Sequence, residues 1–119
     1  MSTEPRQDRD CLFCRIVAGE VPADVVAQDG HVMAFRDVTP QAPVHVLVVP
    51  REHHADVATL AVADPDALVA LVRMGSQIAH DESGGQFRLV FNSGPDAGQS
   101  VYHVHGHVLG GRSLTWPPG

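Results

Sequence analysis

The chain has 119 residues, of which 44% are hydrophobic and 18% charged, and its formal net charge is −6 with histidine counted as neutral. This size and composition are typical of a single globular domain. No apolar run approaches the roughly 20 residues that span a bilayer. An acidic chain also lacks the basic face that sequence-independent binding of nucleic acid requires. We therefore expect neither a membrane nor a nucleic acid as partner.

The N-terminal segment is polar and charged. Residues 1–10 show neither the pattern of a secretory signal nor that of a transit peptide, which predicts a flexible tail on a cytoplasmic protein. The remaining residues contain no repeat, no low-complexity segment and no domain boundary. We therefore predict one domain over 11–119.

The first half of this domain predicts a short helix, a hairpin and a buried strand. Apolar residues in "CLFCRIVAGE" are consistent with one or two helical turns. The stretches 21–28 and 31–37 flank Asp29-Gly30, a turn dipeptide that tolerates positive φ at both positions. The β-branched run "VHVLVVP", residues 44–50, predicts a strand that is buried on both faces.

The second half begins with one long helix over residues 64–85. Asp64 is its expected N-cap, Pro65 occupies the first helical position and Gly84-Gly85 ends the helix. A strand, a glycine-rich loop and a last long strand follow, over residues 86–92, 93–100 and 101–109. Antiparallel pairing dominates this order, so the predicted class is α+β, with a mainly antiparallel sheet of about five strands, one long helix and a short N-terminal helix.

Three histidines alternate with other residues near the C-terminus, in "VYHVHGHVL". On a strand, His103, His105 and His107 would share one exposed face, about 6–7 Å apart, while Val104 and Val108 face the core. Three imidazoles in register fit two chemistries, a metal site or nucleophilic attack at an electrophilic centre. The other histidines receive no role: His31 and His80 are expected at the surface, and His54 is unassigned.

The loop before these histidines favours the second chemistry. Gly94 and Gly98 give backbone N–H donors access to an anion, and Gln99 and Ser100 add side-chain donors. A nucleophile beside an anion cradle indicates phosphoryl or nucleotidyl transfer. The same loop is also compatible with an ordinary turn.

Cys11 and Cys14 form a C-x-x-C pair at the start of the domain. This spacing supplies half of a tetrahedral metal site. Two reduced structural cysteines remain an alternative, and redox chemistry is disfavoured because no thioredoxin-like βαβ pattern surrounds the pair.

The segment "HVHGHVL" resembles the His-x-His-x-His-x-x signature of the histidine triad (HIT) superfamily. The segments "CLFCRIVAGEVPADVV", "AFRDVTPQAPVHVLVVPREH", "FNSGPDAGQSVYHVHGHVLGGR" and "WPPG" resemble its Hint branch, the purine nucleoside phosphoramidases. The resemblance therefore covers nearly the whole HIT domain, 11–119. Gly106 departs from the signature, which usually has a bulky apolar residue there, so we expect lost packing and a less rigidly held His105.

This resemblance implies a hydrolase or transferase acting at the α-phosphate of purine nucleoside monophosphate derivatives, with no cofactor needed for catalysis. His105 would be the nucleophile and form a nucleotidyl-histidine intermediate. His107 would contact the phosphate, and Ser100 would bond the phosphate and the leaving group. His103 and His45 would orient the site. The implied nucleotide-binding residues are Phe13, Ile16, Phe35, Asp37, Val38, Asn92, Gly98, Gln99, Ser100, His105 and His107.

The resemblance also implies a structural zinc ion and a homodimer. The zinc ligands would be Cys11, Cys14, His53 and His103. Strands 86–92 and 101–109 are expected to leave sheet edges that a second copy covers, with Trp116 reaching the partner's site. Three other functions stay open: a dinucleoside polyphosphate hydrolase, a nucleotide-binding interaction protein with little turnover, and a metal-binding protein that uses the three histidines directly.

Overall fold

A computed structural model describes residues 10–119, so the predicted tail 1–10 lies almost entirely outside the described residues. In chain order the domain has a short helix, three strands, two helices and two further strands, with one short 3₁₀ turn at Pro95–Ala97 between the last two strands. The helices are α1 (Leu12–Val17), α2 (Val57–Ala63) and α3 (Pro65–Ser83). The strands are β1 (Val25–Gln28), β2 (Val32–Arg36), β3 (Val44–Pro50), β4 (Phe87–Val90) and β5 (Gly106–Gly110).

The five strands form one antiparallel sheet in the order β1-β2-β3-β5-β4. This confirms the α+β class and the mainly antiparallel sheet. The expectation that β5 leaves an open edge is wrong, because β5 pairs with β3 on one side and with β4 on the other. The edge strands are β1 and β4.

Both faces of the sheet are covered, which explains why every residue of β3 is buried. Val44, Val46 and Val48 pack with α2 and α3 on one face. Leu47 and Val49 pack with α1 on the other face. Alternation along the strand therefore divides the core into two layers, and the α1 face carries the candidate site.

Helix α3 begins and ends as its sequence predicts. The Asp64 side chain accepts a hydrogen bond from the Ala67 N–H at 3.1 Å, and Pro65 follows at the first position. Gly84 ends the helix in the left-handed conformation at φ 64°. No helix within residues 10–119 combines the length and apolarity needed to cross a membrane.

The structure differs from the sequence analysis in three local details. The Asp29-Gly30 turn needs no positive φ, because the Asp29 carboxylate accepts hydrogen bonds from the N–H groups of His31 and Val32. Helix α2 was not predicted. The last strand begins at Gly106 rather than at residue 101.

Gly106 is tightly packed. A Cβ on this residue would lie 3.0 Å from Leu71 Cδ2 of α3 and 3.0 Å from Leu89 Cδ1 of β4, with Phe91 Cε1 at 3.3 Å. The expected loss of packing is therefore wrong, since neighbouring side chains fill the space that a bulky residue would occupy.

Candidate active site and metal centre

An open cleft of about 500 Å³ lies on the α1 face of the sheet. Its walls are largely apolar, and His105, His107 and Ser100 line it together with Asp37. The four apolar residues that the resemblance assigns to the nucleotide all line the cleft, the first three buried and the last 97% exposed: Phe13, Ile16, Phe35 and Val38. The cleft therefore combines an apolar compartment with a polar end.

The three histidines do not share an exposed strand face. His103 is fully buried and His105 is 8% exposed, and both precede β5, whereas His107 belongs to the strand. Val104 and Val108 are buried against the helices, as predicted. The strand pattern fails before Gly106 because the Val104 N–H donates to the His54 carbonyl at 2.8 Å instead of to a strand.

His105 is held in one tautomer. Its Nδ1 lies 2.9 Å from the His103 carbonyl oxygen, and a carbonyl accepts only, so Nδ1 carries the proton and Nε2 carries the lone pair. The Phe13 ring packs edge-on against the imidazole, with ring centroids 5.0 Å apart. The arrangement leaves His105 with a nucleophilic nitrogen at the cleft.

His45 and His107 form a hydrogen-bonded pair beside His105. The Gln41 backbone N–H donates to His45 Nδ1 at 3.0 Å, so neutral His45 must carry its proton on Nε2. That proton is donated to His107 Nδ1, 2.9 Å away. The proton of neutral His107 therefore lies on Nε2, a buried atom that has no hydrogen-bond partner within residues 10–119.

The electrostatics keep this pair uncharged. Burial lowers the pKa of His107 to about 4, and the neighbouring His105 and His45 add to the shift. Burial also lowers the pKa of His45, while the Asp37 carboxylate opposes that shift. Asp37 Oδ2 lies 3.4 Å from His45 Nε2. Both imidazoles are therefore neutral near pH 7, and each presents one N–H donor.

The loop that precedes the histidines is braced by Gln99. Its side-chain amide donates to the Ala55 carbonyl at 2.7 Å and to the Val101 carbonyl at 3.1 Å, and its oxygen accepts from the Gly94 N–H. The Gln99 side chain thus bonds to its own loop and to the segment after β3 rather than lining the cleft. Gly98 adopts φ 90° beside Asn92, and neither residue belongs to the cleft lining.

Cys11, Cys14, His53 and His103 meet in one cluster at the other end of the histidine segment. His103 Nδ1 lies 3.4 Å from each of the two sulfur atoms, and His53 Nδ1 lies 3.3 Å from Cys14 Sγ. Zn–S bonds of about 2.3 Å and Zn–N bonds of about 2.0 Å in a tetrahedron separate sulfur from nitrogen by about 3.5 Å. The spacing therefore fits a structural zinc ion.

The state of His103 supports this fit. Its Nε2 donates to the Pro50 carbonyl at 2.8 Å, which places the Nδ1 lone pair among the sulfur atoms. Burial lowers the pKa of His103 to about 4, so the ring is neutral and able to act as a ligand. The predicted four ligands are brought together, and they tie α1 to the segment that carries His105.

The sequence did not reveal several groups that shape the site. The Gln41 N–H and the Pro50 carbonyl set imidazole tautomers through their backbones, which no residue type signals. Leu47 and Arg36 also line the cleft. Arg36 is the only basic residue in the described cleft lining, and Glu82 holds it through two hydrogen bonds of 2.8 and 3.0 Å.

The chain is similar to known proteins over most of its length. The HIT domain family model matches residues 18–114. A 14 kDa zinc-binding protein of Brassica juncea is 41% identical over 92% of this chain and all of that protein. The adenylylsulfatase HINT1 of Arabidopsis thaliana is 41% identical over 94% of this chain and 78% of that protein.

A solved structure gives the same fold. A HIT family hydrolase from Legionella pneumophila superposes with a TM-score of 0.88 at 45% identity, covering 92% of this chain and all of that one. The similarity to HINT1 agrees with the resemblance to the Hint branch. From its sequence, fold and site together, the chain belongs to the HIT domain family of nucleotide-binding hydrolases.

Proposed function

We propose that this HIT protein acts at the α-phosphate of purine nucleoside monophosphate derivatives, as a phosphoramidase-type hydrolase or transferase. The observation that carries the proposal is the hydrogen-bonded series from the Gln41 N–H through His45 to His107, set beside His105. It supplies one nucleophilic nitrogen and one N–H donor at the same cleft. An attack at phosphorus needs both groups.

In the first step the His105 Nε2 lone pair attacks the α-phosphorus. A phosphorus–nitrogen bond forms, and the bond to the leaving group breaks with its electron pair going to the leaving amine, which takes up a proton. Water then attacks the nucleotidyl-histidine, the phosphorus–Nε2 bond breaks and the nucleoside monophosphate is released. Imidazole suits this cycle because it is nucleophilic at neutral pH and leaves readily.

His107 would bind a phosphoryl oxygen through Nε2–H. An anion at this place favours the protonated imidazole, so His107 would also deliver the proton to the leaving amine, with Ser100 as the nearby hydroxyl. The Asp37 carboxylate would stabilise the positive charge of the protonated His107 ring until that proton has left, and His45 would hold the ring in place. His103 would orient the segment from its other end.

The apolar cleft would hold the purine. Phe13, Ile16 and Phe35 form its buried wall, and Val38 lies at its exposed rim. Asp37 would accept hydrogen bonds from the ribose hydroxyls. We assign the phosphate side to the loop amides around Gly98, with Asn92 and Gln99 supporting that loop.

A small amine is the preferred leaving group in this proposal. Arg36 is the one basic residue in the described cleft lining, and its charge is already paired with Glu82. A long polyphosphate tail would therefore meet little compensating charge. We expect a higher kcat/KM for adenosine phosphoramidate than for diadenosine triphosphate; the reverse order would favour the dinucleoside polyphosphate hydrolase.

The proposal is tested by His105→Asn. Turnover of adenosine phosphoramidate should fall by about a thousand-fold or more, while AMP binding is largely retained, because the cleft and the anion donors remain. The control is His31→Asn at an exposed position in the β1–β2 turn. Turnover by His105→Asn at the rate of the control would remove the covalent mechanism, and AMP binding without turnover by either protein would favour the interaction protein.

We further propose that the Cys/His cluster binds zinc in a reducing compartment, the cytoplasm, since thiolates are the ligands and both cysteines are free. Zinc supplies a structural cross-link there, and no catalytic step depends on it.

We also propose a homodimer. The edge strand β4 and the half-exposed Val69 and Val72 of α3 offer a surface to a second copy. Trp116, 81% exposed, would reach the partner's cleft. Light scattering at micromolar concentration should give twice the chain mass of 12.7 kDa; a monomeric mass would disprove the assembly without touching the chemistry.

A further inference from the structure

A second cluster of metal-binding residue types lies outside the cleft and outside the Cys/His cluster. Glu52, His54 and Asp64 each place one ligand atom within 4.8 Å of the others. Glu52 and His54 follow β3, and Asp64 stands at the junction of α2 and α3. The cluster therefore joins the segment after β3 to the junction at the far end of α2.

His54 carries the observation that points to a ligand. The residue is 9% exposed, and its Nε2 is buried without a hydrogen-bond partner in the part of the chain that the structure describes. Glu52 Oε2 lies 3.9 Å from Nε2, beyond hydrogen-bond distance. A buried, unsatisfied polar atom is costly in a folded protein. A ligand shared by the nitrogen and the carboxylates would satisfy it.

Asp64 can bind the same ligand as His54 although its side chain also caps α3. Its Oδ1 caps α3 by accepting the Ala67 N–H, but a carboxylate has two oxygens and several lone pairs. The capping bond also fixes the orientation of this side chain. Asp64 therefore presents a carboxylate in a defined position beside His54.

We propose that Glu52, His54 and Asp64 bind a divalent first-row transition metal, with water completing its coordination. One imidazole and two carboxylates form an oxygen-rich donor set that suits Mn²⁺, whereas the Cys/His cluster offers thiolates, which select zinc. The two clusters would thus bind different metals although His53 and His54 are adjacent.

The site would support the catalytic segment. The His54 carbonyl accepts the Val104 N–H at 2.8 Å, and the Ala55 carbonyl accepts the Gln99 side chain at 2.7 Å. A metal that fixes His54 to the start of α3 would therefore stabilise the segment on which the loop 99–104 rests. We expect an effect on thermal stability rather than on the chemical step.

The test uses the full-length, zinc-loaded protein and Mn²⁺ alone as the probe, followed by electron paramagnetic resonance and by the melting temperature. Wild type should bind one equivalent of Mn²⁺ and melt higher with it, with no loss of zinc. Glu52→Gln and Asp64→Asn should each bind Mn²⁺ at least about tenfold more weakly. Asn caps a helix about as well as Asp, so Asp64→Asn retains the fold.

The matched control is Asp66→Asn, an exposed carboxylate in the first turn of α3 that is not part of the cluster. It should bind Mn²⁺ as wild type does. Absence of saturable binding by wild type would overturn the proposal. Equal binding by wild type, Glu52→Gln and Asp64→Asn would overturn it too, because the metal would then lie elsewhere.

Discussion

At the scale of the residue, backbone groups determine which imidazole nitrogens in the site carry a proton. The N–H of Gln41 and the carbonyl of Pro50 determine which nitrogen of His45 and of His103 carries the proton. A motif shows that imidazoles are present, but the tautomer depends on partners that the fold supplies. The chemistry of the site therefore depends on residues that have no recognisable side-chain signature.

Gly106 provides the first prediction. Gly106→Ala should destabilise the fold by about 1–3 kcal/mol, because the new methyl group meets Leu71 and Leu89 at 3.0 Å and the core must shift to admit it. Urea denaturation measures this loss. Gly30→Ala is the control, since nothing lies within 4 Å of its Cβ and its φ is not left-handed. Equal stability of the two variants would contradict the packing described here.

At the scale of the element, the helix caps lead to a prediction about α3. Gly84→Ala should cost about 1–2 kcal/mol, because Gly84 has φ 64° and a Cβ there is strained even though open space surrounds it. Gly84→Asn should cost less, since asparagine tolerates this conformation. Thermal unfolding should give melting temperatures that decrease from wild type to Gly84→Asn to Gly84→Ala. An alanine variant as stable as wild type would refute the prediction.

Local sequence patterns predicted most helices and strands, and they failed where tertiary contacts determine whether an element forms or where it begins. Helix α3 and strand β3 follow from caps, periodicity and β-branched residues. Helix α2 was missed because its sequence, "VATLAVA", is apolar around most of its circumference and shows no helical stripe. The last strand was predicted too long because histidines continue at alternate positions back to His103. In the structure, the Cys/His cluster and the hydrogen bond from the Val104 N–H to the His54 carbonyl hold that segment away from the sheet.

The candidate site shows the same division. The histidines, the two cysteines and the cleft residues were located by spacing and by resemblance, and the structure brings the four metal-ligand candidates together. The position of Gln99 could not be deduced, because its partner Ala55 lies in the segment after β3, far from Gln99 in the sequence. Residue types indicate which groups are available, whereas the fold determines which of them meet.

At the scale of the whole molecule, neutral buried histidines make stability depend on pH. Burial lowers the pKa of His107 from 6.5 to about 4, so the unfolded chain binds more protons than the native state between these values. Stability should therefore be independent of this group above pH 6.5 and should fall as pH drops from 6.5 towards 4. Urea midpoints across this range measure the slope, which should be smaller in His107→Asn and unchanged in His31→Asn.

Removal of zinc should loosen the link between α1 and the histidine segment. Treatment with a chelator should lower the melting temperature by on the order of 10 °C and make Cys11 and Cys14 reactive toward a thiol reagent. AMP binding should weaken as well, since Phe13 lies on the same helix. Added Zn²⁺ should reverse all three changes; protected thiols after metal removal would argue against the cluster as a zinc site.

The register between β3 and β5 determines whether His45 and His107 meet, so enzymatic activity measures correct strand pairing. Leu47 lies opposite His107 and His45 opposite Leu109, so the two histidines are diagonal neighbours whose contact depends on the β3–β5 alignment. A slip of one residue would send His107 to the face where Val108 packs against α3. Such a molecule would remain compact but would be inactive. The specific activity of a refolded sample therefore reports the fraction of molecules with the native β3–β5 register. A single-residue insertion within β5 should therefore abolish activity more completely than the same insertion in the loop 37–43.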